Sequence, residues 1–255
     1  MTWTEEDFFK GEQGGDESET KYWPETLMGQ LTRLLEENPD CRGLLWIPGT
    51  AIRYPVVQTD RENGLYYLKR DFEGRENPAG TLFLDYRCGK DADNLIIYGH
   101  RMRNGQMFGE LKHYKNKDFG EKYPRIYWLT PKCVSVYEIF AVCLQKDSAA
   151  LTEEELFYQQ NFIYAEEPAQ KAAFVELSIE NSLYETGTWR EQKEGQIGEE
   201  EGQRADPRVE VERFLTLKTC DYGTENGRLA VMARLTAGIF PEETGDEEER
   251  TSAEK

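Results

Sequence analysis

The sequence predicts a mainly β domain with peripheral helices, an α+β class, and three observations carry that prediction. Short β-prone runs punctuated by Gly and Pro fill Leu44 to Tyr98 and return at Ile126–Leu144 and Phe214–Leu235. Helical periodicity is confined mostly to the stretch after Pro24 and to an insertion between Ser148 and Val211. With 255 residues, 38% hydrophobic and 12% aromatic, the chain has material for one elaborated core.

In chain order, residues 1–22 are acidic and Gly-rich, and they read as a disordered amino-terminal segment. After Pro24, Leu27, Met28, Leu31, Leu34 and Leu35 form one apolar stripe that Asn38-Pro39 terminates, which predicts a helix packed on the outside of the domain. Strands are expected at Leu44–Ile47, Tyr54–Gln58, Tyr66–Leu68, Thr81–Asp85 and Asn94–Tyr98, and so many short strands point to a barrel or a sandwich. Asn104-Gly105 then opens a helical stretch with Met107, Phe108, Leu111 and Tyr114 on one face, a core stripe. Ile126–Leu129 and Cys133–Leu144 return to strand.

Within the insertion, Thr152-Glu-Glu-Glu155 is a capping box, and Pro168 suits the first turn of a helix carrying Ala172, Ala173, Phe174 and Leu177. Residues 185–212 read as a charged loop. The β elements on either side of the insertion each lack a full core, so residues 23–240 are expected to form a single domain with an insertion at 148–212, followed by an acidic tail at 241–255. Pro241-Glu-Glu-Thr-Gly245 belongs to that tail.

The net charge of −18 is local. Residues 1–20, 191–212 and 242–255 hold 22 acidic and 6 basic residues, leaving 27 acidic against 25 basic elsewhere. The folded part is thus nearly neutral, and with no basic patch to neutralise phosphates, nucleic acid is not an expected partner. Apolar runs such as Leu95–Tyr98 are far too short to span a bilayer, so membrane association would need an anchor that this sequence does not contain.

Five cysteines stand at 41, 88, 133, 143 and 220, without the CxxC spacing of zinc or redox sites, and neither a metal nor a cofactor is expected. Cys133 and Cys143 read as small core residues. Cys220 differs, because it ends the strand Phe214-Leu-Thr-Leu-Lys-Thr-Cys220, precedes the turn Asp221-Tyr-Gly-Thr-Glu-Asn-Gly227, and is followed by a second strand beginning at Arg228. Arg228 alternates away from Leu229, Val231, Ala233 and Leu235, so its guanidinium stays near the strand end while the apolar set enters a core. A thiol beside a fixed positive charge favours thiolate. Of the two histidines, His113 reads as a solvated surface residue, whereas His100 ends another apolar strand, Asn94-Leu-Ile-Ile-Tyr-Gly99.

Taken together, Ile-Ile-Tyr-Gly-His100, Thr-Leu-Lys-Thr-Cys220 and Arg228 resemble the sortase family, in particular its class B members. Tyr98-Gly-His100-Arg-Met102 with Asn104-Gly-Gln-Met-Phe108, the strand Gly80–Asp85, and Leu45-Trp-Ile-Pro-Gly-Thr50 with Tyr54–Gln58 extend the likeness from about Leu44 to Leu235. The resemblance implies a closed β-barrel of about eight strands, with an amino-terminal helix and a helical insertion before the cysteine strand. It also implies a cysteine transpeptidase anchoring surface proteins at the extracytoplasmic face of Gram-positive cells. The catalytic set would be His100, Cys220 and Arg228, with Thr219, Asp221, Tyr222 and Asn63 as substrate-binding residues. The implied partners are a sorting-signal peptide, cleaved after Thr, and a peptidoglycan precursor or cross-bridge amine, with the enzyme acting as a monomer. Two departures stand out. Lys218 occupies a position where the family carries a small hydroxyl residue, and Glu62-Asn63 replaces its Asp-Asn. A thiol peptidase that only hydrolyses and a binding domain with a dead site are the competing readings.

Overall fold

The computed structural model describes residues 25–145, 152–186, 212–219 and 228–239. Eight strands close into one barrel: β1 (Cys41–Trp46), β2 (Arg53–Val57), β3 (Leu82–Leu84), β4 (Asn94–Gly99), β5 (Arg125–Leu129), β6 (Val134–Gln145), β7 (Phe214–Thr219) and β8 (Arg228–Ile239). Their order around the barrel is β1-β2-β3-β4-β7-β8-β6-β5. Closure leaves no strand edge exposed. Pairing is antiparallel except for β2 with β3 and β4 with β7. The predicted fold class and barrel are therefore what the chain adopts.

Every strand contributes to the interior, which includes Leu45, Val56, Leu82, Ile97, Ile126, Tyr137, Leu215, Leu217, Leu229 and Val231. Each fully buried aliphatic side chain there contributes about 1.5–3 kcal/mol. The predicted amino-terminal helix is α1 (Glu25–Glu37), ending at Asn38-Pro39 as expected. Its Leu31 is fully buried among Leu44, Trp46, Tyr127 and Val136 on the outer barrel face.

The helical stretch after Asn104 is a 3₁₀ helix, Phe108–Lys115, followed by α2 (Lys117–Lys122). Phe108, Leu111 and Tyr114 recur every third residue and are all fully buried, which matches three residues per turn. Tyr66–Leu68, expected as strand, is also 3₁₀ (Tyr66–Lys69), because the preceding Asx turn starts a local helix: Asp60 Oδ1 accepts the Asn63 N–H, and Tyr66 N–H donates to Asn63 O at 2.7 Å.

In the insertion the capping box forms, with Glu155 N–H on Thr152 Oγ1 and Thr152 N–H on Glu155 Oε2. It opens α3 (Glu153–Leu156), which runs on as a π-helical turn, Phe157–Asn161. Pro168 begins α4 (Pro168–Glu180). The buried face of α4 is Phe174, Val175 and Ser178; Ala172 is exposed and Leu177 only half-buried. Phe174, Phe162 and Phe214 pack with Phe140 and Met232, so the insertion caps the outer face of β6, β7 and β8. Cys143 is buried there as a free thiol on Ser178 O, and Cys133 is free as well. The segments 1–22 and 241–255, and nearly all of the acidic loop, lie outside the described residues.

Candidate active site

The site is organised by the parallel pair β4–β7, whose register runs from Asn94 opposite Phe214 to Gly99 opposite Thr219. Parallel strands end at the same rim of a barrel. His100 follows Gly99, and Cys220 is the residue after Thr219 in the chain. β8 pairs antiparallel with β7, Lys218 opposite Ala230, so its first residue, Arg228, starts at that same rim. Topology thus gathers His100, Arg228 and the carboxyl end of β7, although 120 residues of chain separate Gly99 from Thr219.

His100 is half-buried, and its Nε2–H donates to Leu68 O at 2.6 Å. That carbonyl belongs to the 3₁₀ turn Tyr66–Lys69, which rests on Gly80. A Cβ at Gly80 would lie 2.5 Å from Leu68 O, and φ at Gly80 is +62°. Behind His100, a Cβ on Gly99 would meet Leu82 Cδ2 at 2.3 Å and Phe108 Cδ2 at 2.7 Å, so glycine lets the strand end sit flush on the core. Phe108 N–H also binds His100 O at 2.9 Å.

Arg228 is half-buried and pairs with Gln145 of β6. Leu229, Val231 and Ala233 enter the barrel core while Ala230 and Met232 face the insertion, so the alternation read from sequence holds. Thr219, 1% exposed, accepts Leu229 N–H at 3.0 Å through Oγ1 and ties the end of β7 to the start of β8. Asn63 is exposed and binds Asp60 Oδ1, and it lines a cavity of about 470 Å³ with Asp60, Tyr66 and Tyr67. Cys220, Asp221 and Tyr222 lie outside the described residues. His113 is exposed against Phe119.

Lys218 is buried, 2% exposed, on the outer face of β7, with Nζ 2.7 Å from Gln159 O. Burial pushes its amine down to about 7; Arg228 and Arg87 push the same way, and Asp85 opposes them. Asp85 itself is buried beneath Arg87, which it binds through both carboxylate oxygens at 2.9 and 2.7 Å, and it accepts Tyr98 Oη–H at 3.1 Å. Burial works against the Asp85 charge, but the Arg87 bonds prevail and hold the carboxyl below its ordinary range. Burial drives the Cys88 and Cys143 thiols up to about 12, which makes both inert.

Sequence reasoning missed the Leu68 carbonyl and the Asp85–Arg87 pair. A backbone acceptor has no sequence signature, but Asp85-Tyr-Arg87 at the end of a strand did offer a visible i, i+2 charge pair.

The Sortase domain family model matches residues 45–236, and the chain belongs to the sortase family. Its likeness within the family is to class B. It is 37% identical over 115 residues to sortase B of Listeria monocytogenes, covering 44% of this chain and 46% of that protein. To sortase B of Staphylococcus aureus it is 34% identical over 96 residues, covering 37% and 38%. These matches span less than half the length of either relative. Among solved structures, Bacillus anthracis sortase B in complex with AAEK1 superposes with a TM-score of 0.61 at 28% identity, covering 83% of this chain and 85% of that one. A Streptococcus pyogenes class B sortase involved in pilus biogenesis gives 0.61 at 28%, covering 81% and 98%.

Proposed function

We propose that the chain is a cysteine transpeptidase that cuts a sorting-signal peptide after Thr and transfers the acyl group to a cell-wall amine. The observation that carries this reading is the β4–β7 register, which ends the histidine strand beside the nucleophile strand at the rim where Arg228 begins β8.

In this mechanism the Cys220 thiolate adds to the Thr carbonyl carbon, and the Arg228 guanidinium stabilises the oxyanion. The C–N bond breaks as protonated His100 gives its proton to the departing amine, leaving a thioester. An incoming amine then attacks the thioester, and the C–S bond breaks. His100 takes the amine's proton, so the thiolate and imidazolium are restored. Because Nε2–H is held by Leu68 O, the transferred proton moves at Nδ1. Thr219 acts by holding the strand ends together, while Asn63, Asp221 and Tyr222 contribute to the peptide groove. The partners are the sorting-signal peptide and a peptidoglycan precursor or cross-bridge amine, met at the outer face of the cell membrane by a monomeric enzyme.

The test is peptide-library cleavage followed by mass spectrometry, with and without an added amine. The expected results are a trapped adduct on Cys220, ligated product when amine is present, and loss of both in Cys220→Ala. Cleavage that survives Cys220→Ala would sink the reading, and hydrolysis without ligation at any amine concentration would leave a thiol peptidase in its place.

A further inference from the structure

Lys218 is the one buried lysine among the described residues, and it stands two positions before Cys220. An apolar side chain could fill this outer face without the cost of burying an amine, so what the amine touches matters. The last carbonyls of a helix have no partner within it and carry the negative end of its dipole. Here the first helix of the insertion ends at residues 159–162, and four side chains from the barrel strands and the β3–β4 connection meet that end in succession. Gln159 O accepts from Lys218 Nζ at 2.7 Å and also from Gln145 Nε2. Arg87 Nη2 reaches Gln160 O at 3.5 Å, and Arg87 Nη1 donates to Asn161 Oδ1 at 3.0 Å. Phe162 O accepts from Asn94 Nδ2 at 2.9 Å.

Of these donors, Lys218 is the one carried by β7, the strand that leads to Cys220. We propose that Lys218 is a positioning residue, locking the end of the insertion's first helix onto β7, the strand that leads to Cys220, so that this helix end and the carboxyl end of β7 hold one fixed relation. This deepens the proposed function and rests on Cys220 as the nucleophile.

The groups facing the amine are Asp85, Arg87 and Cys88 from the β3–β4 connection, Tyr98 opposite it on β4, Arg228 at the start of β8, and the neutral Gln159 of the insertion. Burial pushes the amine down to about 7, so the lock changes from a charge-assisted bond to a neutral one as the pH rises through that value.

Two measurements on the full chain test this, comparing wild type with Lys218→Met, or with Lys218→Thr if the first variant does not fold. In hydrogen–deuterium exchange, amides of residues 156–162 and the end of β7 are expected to exchange about tenfold faster in the variant, while α4 and the rest of the barrel exchange no faster than in wild type. In alkylation of Cys220 by iodoacetamide, the wild-type rate against pH is expected to show a step near neutrality that the variant lacks, and the variant is expected to react several-fold more slowly. Unchanged exchange in 156–162, an increase spread evenly over the barrel, or superimposable alkylation profiles would each overturn the proposal. Neither measurement uses a sorting peptide, so a wild type that transfers no acyl group refutes the transpeptidase reading without deciding this one.

Discussion

Replacing Lys218 by Met should make the protein more stable at pH 6 and much less so, relative to wild type, at pH 9. Lysine ordinarily titrates at 10.5 and here at about 7. Between those values the unfolded chain holds a proton that the folded protein has released, so stability rises with pH across that window. Below pH 7 both states are protonated and the full cost of burying the charge is present. That cost is about 5 kcal/mol at pH 6 and about 2 kcal/mol at pH 9. Methionine removes the cost and forfeits a hydrogen bond worth about 1 kcal/mol. Gln159 O is not orphaned, because Gln145 Nε2 still donates to it. The variant should therefore be about 4 kcal/mol more stable at pH 6 and about 1 kcal/mol at pH 9. In urea denaturation followed by fluorescence, the difference at pH 6 corresponds to a midpoint shift of about 2 M for a slope of about 2 kcal/mol/M. Parallel wild-type and variant curves from pH 6 to 9, or a variant less stable at pH 6, would refute a buried titrating amine.

Three further outcomes are expected. Gly80→Ala places a Cβ 2.5 Å from Leu68 O at a positive φ, which should cost about 1–3 kcal/mol and shift the His100 ring nitrogen resonances in long-range ¹H–¹⁵N spectra; an unmoved spectrum would mean Leu68 does not orient the ring. Asp85→Asn leaves the partly exposed Arg87 without its carboxylate next to buried Lys218 and should destabilise by about 1–3 kcal/mol, measured by thermal unfolding; a loss below about 0.5 kcal/mol would count against the pair as a brace. A methanethiosulfonate reagent at pH 7 should modify Cys220 ahead of Cys88 and Cys143, whose thiols sit near 12, and equal labelling of all three by peptide mapping would remove the case for an activated nucleophile.

Much of this protein was legible locally. The alternation in Arg228–Leu235, the stripe of α1, the Thr152 box and Pro168 are each decided within a few residues of chain, and the structure follows them. Tyr66–Leu68 was misread as strand because its aromatic content outweighed the Asx turn before it. In α4 the buried face turned toward Phe174, Val175 and Ser178, a choice made by the aromatic cluster beneath it.

His100, Cys220 and Arg228 stand out in the sequence because each is a distinct chemical type beside an expected strand terminus. The sequence also determined most of the strands, the Thr152 cap, and by resemblance the barrel and the family, since all of these rest on short-range pattern. Only the tertiary structure decided that β4 and β7 run side by side, that Leu68 O holds the imidazole, and that Lys218 is buried. Those depend on contacts between segments far apart in the chain, where loop closure and the covering insertion, not local propensity, set which face meets water.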